Sequence, residues 1–253
     1  MASNALELEN VTIGFGDSVL FKSINLVVPM GQSVVLIGPS GHGKSVILKL
    51  LAGLLIPQEG RVLFEGEDLQ NLSTAARHKL QLKMGMLFQK NALFDSLSVS
   101  ENIAFPLREV LKMPEDMIQE QVHYFLNAVG ILHAKDLFPD EISGGMQKRL
   151  GIARALAMYP EIVLYDDPTA GLDPITSRKI VEMILSLKAK TNATVVTVTN
   201  DMMRAFQLAD QIILVADHEL IPSGNKEETL KSQDPRVAQF IRGQLEGPLT
   251  EMH

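Results

Sequence analysis

The stretch GPSGHGKS (Gly38–Ser45) constrains this chain more than any other. It fits G-x-x-x-x-G-K-[ST], and its surroundings are those the motif requires. The continuous apolar run SVVLI (Ser33–Ile37) precedes it, and VILKLLAGLL, of helical length, comes after it. A chance match in a chain of this size is on the order of one in a hundred before that context is counted. Glycines let the backbone curl so that its N–H groups point inward at phosphate oxygens, and the helix start adds positive partial charge. Lys44 then reaches the β- and γ-phosphates, and Ser45 is a ligand for Mg²⁺. Gly38, Pro39, Ser40, Gly41, His42, Gly43 and Val46 complete the expected nucleotide cradle, with His42 a spacer pointing to solvent.

A second feature belongs with the first. In EIVLYDDPTAGLDP the apolar run Ile162–Tyr165 meets two adjacent carboxylates, Asp166 and Asp167. Like charges at the end of a buried strand are unfavourable unless a cation sits there. Beside a phosphate loop, the expected role of Asp166 is to hold Mg²⁺ at the tip of a neighbouring strand. Taken alone it reads equally as a helix cap or a turn residue.

The remaining chain alternates strands and helices. LELENVTI, INLVV, RVLF, GMLF, EIVLY, TVVTV and QIILVA read as strands, and helices are expected at 174–190 and 201–208. From about 91 to 159 the apolar residues fall at helical spacing instead. The expected architecture is therefore α/β, a P-loop NTPase core with a parallel sheet and a helical insertion. The core covers about 1–90 and 160–232, the helical subdomain about 91–159, and a C-terminal helix and tail 233–253. In that tail Val237, Phe240 and Ile241 form a helical stripe, which fits packing on the chain's own domain or docking on a partner.

Composition narrows the function classes. The 253 residues suffice for one large or two small domains, and the net charge of −7, without a long basic run, argues against nucleic acid as a main partner. There is no cysteine, hence no disulfide or thiolate metal site. The longest apolar stretch, VILKLLAGLLI, is about half a membrane span and contains Lys49, and the N-terminus lacks a signal-peptide layout. Membrane crossing is expected to fall to other chains.

ISGGMQKRLGIARALA (Ile142–Ala157) opens with Ser143 and two glycines, a capped helix start with free amides and a second anion site. SGG is a weak signal alone. Lying between the loop and the aspartates, it gives the chain an order of motifs that resembles the ATPase subunit of ABC transporters over nearly its whole length. The resemblance assigns Gln89 to the Q-loop as a catalytic residue and Mg²⁺ ligand. It assigns Ser143, Gly144, Gly145 and Met146 to the signature, Asp173 to the D-loop and Phe15 to stacking on adenine, for which a strand-end core residue is the alternative. It implies an ABC-type nucleotide-binding domain with a mixed sheet core and a helical subdomain, ATP and Mg²⁺ as cofactors, and a head-to-tail homodimer in which the signature of one chain meets the γ-phosphate held by the other. It also implies integral-membrane permease subunits and a cytoplasmic location on the inner face of the inner membrane. SGGM, PTAGLDPITS and the tail DPRVAQFIRGQLEGP are most similar to the ATPases of Mla (maintenance of lipid asymmetry) systems, which implies phospholipid transport with an MCE-domain lipid-binding partner.

Two positions depart from the family pattern. Asp167 stands where the family has a Glu that polarises the attacking water, and Asn200 where it has a His contacting the γ-phosphate. Both leave binding residues untouched and put hydrolysis in question, so a nucleotide-gated dimerisation module with little turnover stands as the alternative function.

Overall fold

The computed structural model describes residues 3–16, 18–88 and 92–250. β1 (Asn4–Phe15), β2 (Ser18–Pro29), β4 (Glu59–Phe64) and β5 (Glu67–Asp68) form an antiparallel sheet in the order β2-β1-β4-β5. A second sheet runs β10-β9-β3-β8-β7-β6, built from β3 (Ser33–Ile37), β6 (Met84–Leu87), β7 (Ile162–Asp166), β8 (Thr194–Val198), β9 (Gln211–Ala216) and β10 (Glu219–Gly224). Its strands are parallel except β10, which turns back against β9. The sheet core is thus mixed, as the family resemblance implies, its central strands parallel, and a separate antiparallel sheet accompanies it. β10 carries Pro222 and pairs with β9 alone; an edge strand tolerates the missing N–H that a central one would not.

Every residue of β3, β7 and β8 is buried, which is why each reads as an unbroken apolar run. Their side chains alternate between two cores. Val35, Ile37, Val163 and Tyr165 face one, with helices α3 (Val99–Glu109), α4 (Glu115–Ala128), α5 (Gly144–Leu156) and α6 (Pro174–Thr191). Val34, Leu36, Ile162 and Leu164 face the other, packed on α1 (Lys44–Leu51) and the antiparallel sheet. This period of two fixes the register, because a one-residue slip would exchange the two faces.

Two helices give no apolar signal. α2 (Thr74–Gln81) buries none of its residues and is defined by Ser73, whose hydroxyl accepts from the Ala76 amide at 3.2 Å. α8 (Lys226–Leu230) is one short turn held by an Asn225–Glu228 capping box. α7 (Met202–Leu208) starts at its Asp201 cap, close to the expected 201–208.

The register levels the carboxyl ends of the central strands: Asp166 lies beside Val198, Leu36 beside Val198, and Ile37 beside Leu214. The segments that leave β3, β7 and β8 therefore meet at one edge, where open α/β sheets bind ligands.

The tail helix α9 (Pro235–Arg242) puts its stripe on the chain's own core. Val237 is fully buried, and Phe240, Ile241 and Leu249 pack against the same core. Gln239 fastens the C-terminal segment back onto this helix: its Oε1 accepts from the Leu249 amide at 2.8 Å and its Nε2 donates to Thr250 Oγ1 at 3.1 Å. Val237→Ala should destabilise the fold by about 2 kcal/mol. In a domain of this size that lowers the melting temperature by roughly 5 °C in a thermal scan.

Candidate active site

β3 delivers the chain to Gly38 with no room for a side chain. A Cβ there would lie 2.2 Å from the Val215 carbonyl oxygen, and φ is +142°. Gly43, the N-cap of α1, has φ +88°, and a Cβ would meet Phe21 Cε2 at 2.6 Å and Leu20 Cδ2 at 3.0 Å. Strand β2, returning from the hairpin that carries Phe15, is thus packed directly under the loop. Phe15 itself is 56% exposed at the end of β1, which excludes the core-residue alternative.

Lys44 is buried, and its Nζ donates to the carbonyls of Gly38 and Pro39, both at 2.7 Å. Burial lowers its pKa, opposed by the charges of Asp167 and then Asp166. Val46 donates to the Gly43 carbonyl at 2.9 Å and starts the first turn of α1. His42 is half-buried rather than free in solvent: its Nδ1 lies 3.2 Å from the Ser40 carbonyl oxygen, folding the ring back onto the loop.

Ser45 Oγ donates to Asp166 Oδ1 at 3.0 Å across 121 residues of chain. A hydroxyl and a carboxylate converging at a strand tip are a partial shell for a hard cation such as Mg²⁺. No cluster of three or more His, Cys, Asp or Glu among the described residues is placed to hold a metal. A cation here would complete its shell with phosphate oxygens and water.

Asp167 continues the sheet. Its amide donates to the Val198 carbonyl at 2.9 Å, and its φ of 53° is in the left-handed region. Asp167 lines an open cleft together with Asn200, Ala170 and Leu172. Burial raises its pKa; Lys148 and a 3.3 Å hydrogen bond from Thr199 Oγ1 oppose the rise. Asn200 Nδ2 donates to Ser40 Oγ at 3.2 Å, joining the end of β8 to the loop.

Ser143 caps α5, its Oγ accepting from the Met146 amide at 3.3 Å, with Gly144 exposed beside it. This segment contacts the turn after β7: a Cβ on Gly145 would lie 3.3 Å from Leu172 Cδ2. Asp173 closes that turn by capping α6, accepting from the amides of Ile175 and Thr176 at 3.0 Å each. Gln89 lies outside the described residues.

The profile of the ABC transporter family matches residues 21–170. The chain belongs to the ABC transporter family. It is 40% identical over 249 residues, 98% of its length and 94% of the other's, to the intermembrane phospholipid transport system ATP-binding protein MlaF of Haemophilus influenzae. It is also 40% identical over 245 residues to the probable ribonucleotide transport ATP-binding protein mkl of Mycobacterium leprae, covering 97% of this chain and 71% of that one. Among solved structures, the dimeric ATP-binding cassette MJ0796 bound to ADP and Pi superposes with a TM-score of 0.78 at 32% identity, over 85% of this chain and 96% of that one. The chain is therefore an ABC transporter ATPase subunit with the family's mixed α/β P-loop architecture. Among its described residues no helix is long and apolar enough to cross a membrane.

The motifs leave out residues that complete this ABC cassette. Thr199 restrains Asp167, and Leu20 and Phe21 shape the loop floor. Lys148 is buried and donates to the Ala170 carbonyl at 2.9 Å. A signal for it exists in the chain: it falls on the α5 face that Ile152 and Ala155 bury, where a charge is out of pattern.

Proposed function

We propose that this subunit hydrolyses ATP to energise phospholipid transport between bacterial membranes. The reading rests on the relative from Haemophilus influenzae named for intermembrane phospholipid transport, with which it shares 98% of its length. The loop Gly38–Val46 cradles the phosphates, Lys44 faces their β and γ oxygens, and the exposed ring of Phe15 stacks on adenine. Ser45, Asp166 and Gln89 hold Mg²⁺, which when bound neutralises phosphate charge. Asp167, which lines the cleft beside Asn200, orients the attacking water, and the Asn200 amide donates to the γ-phosphate.

Two copies pair, a reading supported by the dimeric structure of MJ0796, and they do so head to tail. Ser143–Met146 of one copy then close over the nucleotide of the other, with the Asp173 turn beside them. Permease subunits and an MCE-domain protein complete the transporter at the inner membrane. Ser143→Arg should leave ATP binding by the single chain within about twofold, while blocking closure. Sedimentation with ATP should then lose the dimer seen for wild type, and a normal dimer would remove the signature role.

A slower, nucleotide-gated module is the second reading, favoured by the short Asp167 side chain and the uncharged Asn200. Steady-state phosphate release by the purified chain, alone and with its permease, separates the two. Transfer of labelled phospholipid between vesicles by the reconstituted transporter tests the cargo. ATP-dependent uptake of a ribonucleotide instead would favour the likeness to the Mycobacterium leprae relative.

A further inference from the structure

Thr199, the residue that follows β8, is 1% exposed and bonded in three directions. Its amide donates to the Leu36 carbonyl at 3.1 Å, which pins it to β3, the strand that feeds the phosphate loop. Its hydroxyl oxygen accepts from the Asp201 amide at 3.1 Å, and the hydroxyl donates to Asp167 Oδ1 at 3.3 Å. A backbone amide can only donate and a carboxylate can only accept, so the sense of both bonds is fixed. The next residue, Asn200, reaches the loop itself through Ser40 Oγ. The two carboxylate oxygens of Asp167 are therefore not equivalent. Oδ1 is held by Thr199, whereas Oδ2 accepts no hydrogen bond among the described residues and is not sealed from solvent.

We propose that Thr199 is a positioning residue for hydrolysis: it holds Oδ1 of Asp167 at a set place relative to the phosphate loop and leaves Oδ2 to take the attacking water. This rests on the hydrolytic role assigned to Asp167 under the proposed function. The water has to stand in line with the phosphate in the loop, so what counts is the place of the carboxylate relative to that loop. Thr199 sets it with two bonds, its amide on β3 and its hydroxyl on Asp167. The Asp201 amide takes part by occupying the hydroxyl oxygen, which turns the hydroxyl proton toward Asp167. Asp201 is itself fixed as the cap of α7, its Oδ1 accepting from the Arg204 amide at 3.2 Å. The Arg204 guanidinium donates in turn to the Pro174 carbonyl at 3.2 Å, which braces this corner against the start of α6.

The test compares Thr199→Val and Thr199→Ser with wild type, each alone and combined with Asp167→Asn, as full chains, free and in the reconstituted transporter. The measurements are phosphate release, affinity for a fluorescent ATP analogue, and melting temperature. Thr199→Val keeps the branched shape without the hydroxyl. It should lose roughly ten- to a hundredfold in kcat, on the order expected for a displaced catalytic group, with KM and affinity within about twofold. Thr199→Ser keeps the hydroxyl and should stay within roughly fivefold of wild type. In the Asp167→Asn chain, read by single-turnover release at high enzyme concentration, Thr199→Val should cost less than about twofold more, because residues that act as a unit are not additive. A side chain that only supports the fold would cost the same factor in both backgrounds. Where Thr199→Val does not fold, Thr199→Ala, also without the hydroxyl, is read in its place. Wild-type turnover in Thr199→Val, an equal loss in Thr199→Ser, or full additivity with Asp167→Asn each overturns the inference. Loss of ATP affinity or of melting temperature in step with kcat, in both the Val and Ala variants, makes Thr199 a structural residue and overturns it too. A wild type that releases no phosphate in either setting, or undiminished turnover in Asp167→Asn, overturns the hydrolytic reading itself and this inference with it. A large loss in Asp167→Asn beside a fully active Thr199→Val overturns this inference alone.

Discussion

Asp167→Asn is expected to lower steady-state phosphate release by about 10²- to 10⁴-fold, the range for losing a group that directs proton transfer. That is roughly 2.7–5.4 kcal/mol of barrier. ATP affinity should stay within about threefold. The substitution isolates the charge because the surroundings accept it. Asn tolerates the left-handed backbone that Asp167 adopts at φ 53°. Its amide oxygen still accepts from Thr199 Oγ1, and the backbone bond to Val198 is unaffected. No loop residue that cradles phosphate is bonded to Asp167 among the described residues, so binding and chemistry separate. Phosphate release and ATP binding measured on the same preparation check this. Undiminished turnover would make Asp167 a charged neighbour of the metal position and nothing more.

Lys44→Ala should abolish tight ATP binding, raising Kd by a hundredfold or more. Hydrogen bonds to charged groups contribute about 1.5–3 kcal/mol each, and the ammonium faces more than one phosphate oxygen. The loop itself should persist. Its shape is held by the close fits at Gly38 and Gly43 against Val215, Leu20 and Phe21, none of which involves the lysine side chain. The Gly38 and Pro39 carbonyls each lose the donor that Lys44 supplies. Calorimetric titration with ATP alongside a thermal melt separates the outcomes. Unchanged affinity would displace the nucleotide from this loop, and loss of affinity with a collapsed melting temperature would trace the effect to folding.

Much of the sheet is legible in the chain because its central strands are buried on both faces. Ser33–Ile37, Thr194–Val198 and Gln211–Ala216 run as apolar stretches with boundaries that match the strands. The helices of the 91–159 region show their apolar period for the same reason: one face of each is packed. α2 escapes notice because none of its residues is fully buried and Leu80 alone packs against the core, which leaves no hydrophobic period to read. The antiparallel β10 also escapes notice, since a Pro inside a short strand argues against a strand until its edge position is known.

The amino-acid sequence by itself determines the phosphate loop, the paired aspartates and the order of motifs that marks the family, since each depends on local chemistry: glycine backbone freedom, one lysine, a carboxylate after an apolar run. The tertiary structure decides what those residues meet. Ser45 and Asp166 come within 3.0 Å only because β3 and β7 lie in one sheet with their ends level, separated by β8. Asn200 reaches Ser40 only because β8 ends beside the loop. Lys148 meets the Ala170 carbonyl at 2.9 Å only because α5 is laid against the 167–173 turn, where its side chain is buried. Such contacts join segments far apart in the chain, and burial sets their strength, so they exist only once the sheet and its helices have packed.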